Sequence, residues 1–204
     1  MSYYYDSLSK TTPTQLGCKI TEIMRDNKKS HQELIILCIG SDRSTGDSLG
    51  PIIGYKLKKT SMSGYYVYGD LEHPVHAGNL SAYIAHIKKS FYNPYIIAID
   101  ASLGRKDHVG LITLGTGPVR PGMGVKKKLP EVGDLHITGI VNTSTNTNHL
   151  VLQTTRLSTI MQLADTIFLA LNHTLILEYD SNDDFYKLQS PEKLYLQNLT
   201  SLYC

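Results

Sequence analysis

Two aspartates hold positions from which acid–base chemistry is done in α/β proteins. Asp47 lies in the stretch IGSDRSTGDSLGP, after the glycine-rich segment from Gly40 to Gly46 and immediately before Ser48-Leu49-Gly50-Pro51, where a helix should begin. Asp100 closes the apolar run IIAID. An acid at the end of such a run is costly unless it is exposed or paired. Two carboxylates sharing one crevice cannot both ionise easily, so one pKa rises and the pair can hold a single proton. Such a pair can activate water and protonate a leaving amine. Taken alone, Asp47 is also explained as an N-cap, its oxygen accepting from the Leu49 or Gly50 amide.

The neighbouring residues suggest how a ligand would be held. Gly40, Arg43, Ser44 and Thr45 precede a helix start, where backbone amides and the helix dipole favour an anion. The stretch is no Walker motif, because no Gly-Lys-Ser/Thr follows, and it is no dinucleotide fingerprint. Its plainer reading is a turn that needs glycines. In DLEHPVHAGNL, His76 and Asn79 follow a strand and precede a helix. They are expected on the rim of the same cleft, orienting a ligand and not doing the main chemistry. His136 lies in a strand pattern and reads as a packed histidine, while His149 reads as part of the first turn of a helix. There is no His-x-x-x-His pair and no nucleophile elbow, so neither a metal nor a cofactor is assigned.

These residues must be positioned by alternating elements. Glu33 to Ile39 and Pro94 to Asp100 are short, nearly continuous apolar runs, the pattern of buried parallel strands. Weaker strands are read at Gly64–Gly69, Val109–Leu114 and Leu135–Asn142. Helices are read from Pro13 to about Asn27, Leu49 to Lys59, Ala77 to Ser90 and, as one long element, Asn148 to about Leu175. An acidic turn, DSNDD, and a short helix from Pro191 end the chain. Strands alternating with helices predict one α/β domain over 13–204: three layers, with a mostly parallel, doubly wound sheet. Residues 1–12 are polar and tyrosine-rich and are expected to form a flexible arm. In open parallel sheets ligands sit outside the carboxyl ends of the strands, which would bring Asp47 and Asp100 to one crevice. The loop from Thr116 to Asp134 is long and rich in Gly, Pro and Lys, as functional loops often are.

Composition narrows the partners. The chain has 204 residues and a formal net charge of +2. Its one basic cluster, Lys126-Lys127-Lys128, is too short for a nucleic-acid footprint, so no nucleic acid is expected. Cys18, Cys38 and Cys204 show no Cys-x-x-Cys spacing, a usage that fits a reducing cytosol. No secretory h-region is visible near the N-terminus. The apolar stretch from Ile160 to Leu177 is broken by Asp165, Asn172 and His173 and reads as a buried helix, not a membrane span. A homo-oligomer is compatible with all of this.

Four motifs in order, IGSDRSTGDSLGP, LEHPVHAGNL, IIAIDASLG and KKLPEVGDLHITGIVN, resemble the sporulation protein YyaC family of spore-forming bacteria. The resemblance spans roughly residues 34–171. That family is similar in turn to the spore germination protease and, more remotely, to the hydrogenase maturation endopeptidases, which share a phosphorylase/hydrolase-like α/β fold. Asp47-Ser48-Leu49-Gly50-Pro51 and Ile99-Asp100-Ala101 match the germination protease where it carries its proposed catalytic acids. The resemblance therefore implies a peptidase-like hydrolase of sporulation or germination, with Asp47 and Asp100 catalytic and a peptide or protein as substrate. It also implies a place in the cytoplasm of a sporulating cell or spore. In the hydrogenase maturation enzymes the corresponding acids bind nickel with a further histidine; PGMGVKKKLPEVGD has none at that place. The alternative is a non-catalytic regulatory protein that binds a peptide or small ligand on the same fold.

Overall fold

The computed structural model describes residues 2–60, 62–121 and 129–180. Six strands form one mixed sheet: β1 (Ser2–Asp6), β2 (Leu34–Cys38), β3 (Tyr65–Tyr68), β4 (Tyr95–Gly104), β5 (Leu111–Thr116) and β6 (Leu135–Thr143), in the order β1-β5-β6-β4-β2-β3. The helices are α1 (Thr12–Asn27), α2 (Leu49–Lys58), α3 (Leu80–Ser90), α4 (Asn148–Gln153) and α5 (Leu157–Asp180).

β2 and the first half of β4 are buried throughout because their side chains are apolar on both faces. Alternation along β2 sends Leu34, Ile36 and Cys38 into one hydrophobic cluster and Ile35 and Leu37 into another. The first cluster takes Leu16 and Ile20 of α1, Leu49 and Ile53 of α2, and Ile160, Leu163 and Ile167 of α5. The second takes Leu80 and Ile87 of α3. Leu16 and Ile20 are fully buried, so truncating either to alanine should cost about 2–5 kcal/mol. By length and composition, α5 is the one helix among the described residues that is apolar enough to cross a membrane. Ile160, Leu163, Ile167 and Leu171 of this helix join the buried cluster with α1, α2 and the sheet, while Leu157 and Leu169 are exposed.

Three expectations are corrected. The sheet is less parallel than its strand–helix alternation suggests. The pairings β2–β3, β2–β4 and β4–β6 are parallel, but β1–β5 and β5–β6 are antiparallel. β5 follows β4 after a short 3-10 turn at Lys106–His108, too short a link for a parallel crossover. Ser2–Asp6 is no loose arm: Tyr3 and Tyr5 turn inward, Tyr4 outward, and β1 pairs along β5 from Ser2↔Gly115 to Asp6↔Leu111. Thr12 donates to the Asp6 carbonyl and Thr166 to that of Ser7, tying the strand to α1 and α5. Finally, the long helix breaks at 154–156. Thr154 and Thr155 turn their hydroxyls back onto the carbonyls of Leu150 and Val151, and α5 starts afresh at Leu157. The acidic turn, the helix from Pro191 and the lysine cluster lie outside the described residues.

Candidate active site

The carboxyl ends of β2 and β4 open into a cleft of about 360 Å³. Gly40 ends the first of these strands in a conformation (φ 139°) that favours glycine; a Cβ there would lie 2.0 Å from the Asp47 carbonyl oxygen. The loop it opens closes on itself. The Ser41 amide donates to that same carbonyl at 3.0 Å, and the Asp47 amide donates to the Ser44 carbonyl at 3.0 Å. Thr45–Asp47 is a short 3-10 turn, and α2 begins two residues later. The helix is capped at Ser48, not Asp47, and no side chain makes a cap hydrogen bond there. The Asp47 carboxylate is thus free of the duty that would have explained it without function, and it lines the cleft.

Asp100 faces it from β4. The residue is 7% exposed, and its Oδ1 accepts from the Ala101 amide at 2.9 Å. Burial drives its pKa well above the ordinary carboxylate value, and the Asp47 charge raises it further, against the Ala101 bond. Asp47 is itself pushed up to about 6 by burial, against the pull of the Ser41 amide. Each carboxylate opposes the ionisation of the other, so the two titrate as a coupled pair.

Around the acids the wall mixes polar and apolar groups. Thr138, the β6 partner of Asp100 in register, shares a 2.6 Å hydrogen bond with Thr113 and accepts from Ser102 at 3.3 Å. His76 accepts from the Gly78 amide at Nδ1, 3.0 Å away, so a neutral His76 carries its proton on Nε2. α4 supplies His149, Leu152 and Gln153. Its position is set by Gly46, where a Cβ would come within 2.8 Å of the Leu152 backbone. Leu103, Val119 and Leu129 make the apolar side.

Residues 5–170 match the family described as "Protein of unknown function (DUF1256)". The chain is also 50% identical over 147 residues to "Uncharacterized protein YyaC" of Bacillus subtilis (strain 168), an alignment that covers 72% of each chain. The protein belongs to this YyaC family.

Of the site residues read from the sequence, this member of the YyaC family gathers Gly40, Ser44, Asp47, His76 and Asp100 around one cleft. Arg43 and Thr45 stand outside its lining: Arg43 is exposed, and the Thr45 carbonyl is spent on the amide and hydroxyl of Ser48. Asn79 is spent too, accepting from the His76 amide at 2.8 Å and donating to the Pro74 carbonyl at 3.0 Å. It shapes the loop that carries His76 without facing the cleft. Thr138, Arg120, Leu152 and Gln153 went unread. Only Thr138 had a usable signal, a polar residue inside an apolar strand. His149 was read as a helix residue, which it is, but not as a wall of the cleft. Among the described residues no three His, Cys, Asp or Glu side chains group so as to hold a metal. The described donor set does not fit a nickel centre of the hydrogenase maturation kind.

Proposed function

We propose that the cleft is the active site of a peptidase-like hydrolase acting in sporulation or germination, on the pattern of the germination protease. One observation carries the reading: two carboxyl groups line a single cleft, and burial raises both, Asp100 further through the Asp47 charge, so that the pair can hold one proton between them. Ionised Asp47 takes a proton from water as its oxygen attacks the scissile carbonyl carbon. Protonated Asp100 gives its proton to the leaving nitrogen as the C–N bond breaks. Exchange with solvent restores the starting protonation. Among the described residues no cation pairs with either carboxyl, which leaves them able to trade protons.

The test is incubation of the protein with spore proteins, with fragments read by mass spectrometry, beside Asp47→Asn and Asp100→Asn. Cleavage by the wild type that both variants lose supports the reading. Cleavage that survives Asp100→Asn removes the acid pair from the mechanism. Tight peptide binding with no cleavage by the wild type leaves the regulatory alternative.

A further inference from the structure

Ser44 breaks two rules at once. Serine is among the best N-cap residues, its oxygen normally accepting from an amide two or three residues on. Ser44 occupies the cap position of the Thr45–Asp47 turn, with extended backbone (φ −135°, ψ 124°), and makes no cap bond. Its Oγ is also buried and has no hydrogen-bond partner among the described residues. Buried polar groups are nearly always paired, and leaving one unpaired destabilises the fold. The next hydroxyl along shows the ordinary outcome: Ser48 Oγ donates to the Thr45 carbonyl at 2.7 Å.

The loop's backbone is held in place around Ser44, so only its side chain is free to turn toward a ligand. The Ser44 carbonyl holds the Asp47 amide, and Gly40 is packed against the Asp47 carbonyl. Ser44 lines the cleft beside Asp47. The other hydroxyls of the wall are committed: Ser102 points at Thr138 and the Gly139 carbonyl, and Thr138 is shared with Thr113. An amide substrate brings a carbonyl oxygen that needs a donor, and ionised Asp47 only accepts.

We infer that Ser44 contacts the substrate, its hydroxyl donating to a peptide carbonyl oxygen in the cleft. This rests on the reading of the cleft as a peptide site and adds the group that holds the amide. A hydroxyl kept for a ligand has a signature that a structural hydroxyl lacks. Its removal should weaken binding without weakening the fold.

The experiment pairs binding and melting. Wild type and Ser44→Ala are titrated with N-acetyl-L-leucine N-methylamide by NMR, and both are melted without ligand. The expected result is binding by the wild type, weakened about 3- to 10-fold in Ser44→Ala, the worth of one neutral hydrogen bond, with a melting temperature equal or higher. Equal affinity, a lower melting temperature in Ser44→Ala, or no binding by the wild type overturns the inference. Ser102→Ala is the contrast and should melt lower, since its hydroxyl is bonded within the fold. The spore-protein assay separates the two ideas. Ser44-dependent binding without cleavage keeps Ser44 and removes the hydrolase. Cleavage with a dispensable Ser44 does the reverse.

Discussion

Asp70 and Asp100 are two buried acids just beyond or within the parallel strands that flank β2 in one sheet, and they have opposite fates. Asp70 follows β3 and is 5% exposed; Asp100 lies in β4 and is 7% exposed. Burial alone would raise Asp70, but the Lys58 ammonium and the amides of His73 and Glu72, at 2.6 and 2.8 Å, together hold it below the ordinary carboxylate range. Among the described residues Asp100 has one amide and no cation, and its charged neighbour is another acid. Similar surface exposure therefore does not decide the state of an acid: the burial that raises Asp100 is met at Asp70 by a cation and two amides. Asp70 is satisfied and ties α2 to the loop after β3. Asp100 is left with its ionisation opposed.

The largest expected effect breaks the comparison at Asp100. Asp100→Asn should lower turnover about 10²–10⁴-fold, and the double variant with Asp47→Asn should lose little more, because neither acid completes the reaction alone. The same change should raise the melting temperature at neutral pH, as it removes a carboxyl whose ionisation the fold opposes. Asp47→Asn comes next and sharpens the sign. A folded-state pKa above the unfolded value means that stability is lost as pH rises from about 3.8 to about 6. Thermal melts across that window should flatten in Asp47→Asn, and turnover of the native protein should fall on the acid side of about pH 6.

Asp70→Asn should do the opposite. A carboxyl held low contributes stability that is present above pH 3.8 and lost as pH falls through its lower folded value. The variant should be less stable by about 1–3 kcal/mol in denaturant titration, with turnover per folded molecule unchanged. Lys58→Met is the mildest test. The Lys58 side chain is 44% exposed, so solvent already screens the pair, and a loss of about 1 kcal/mol or less is expected. A larger loss would mean that the cation, not the amides, keeps Asp70 ionised.

The sequence made the acids legible because each ends or follows an apolar run, and a strand end is where a carboxylate meets solvent or a ligand. β2 and β4 were equally plain. What stayed hidden depended on pairing between distant segments. Nothing local distinguishes β5 as antiparallel, and an edge strand such as β1, buried on one face only, reads as polar tyrosine-rich chain. The break in the last helix carries no Gly or Pro; it falls at two threonines whose hydroxyls turn back onto backbone carbonyls. That break is what lets α4 fold over the cleft, so His149, Leu152 and Gln153 could not be placed from the sequence. Arg43, Thr45 and Asn79 fail for a different reason. They sit beside site residues in sequence, but their polar groups face solvent or serve the backbone.

The pairing of β1 with β5 also fixes an order of events in folding. Ser2 must find Gly115, and β5 is itself held in the sheet by β6. The N-terminal strand is synthesised before either, and it can dock only after both are in place. Contacts this far apart in the chain are slow to form, because the loop between them loses its entropy before the contact rewards it. β1 is thus expected to be the last strand to settle and among the first to peel away.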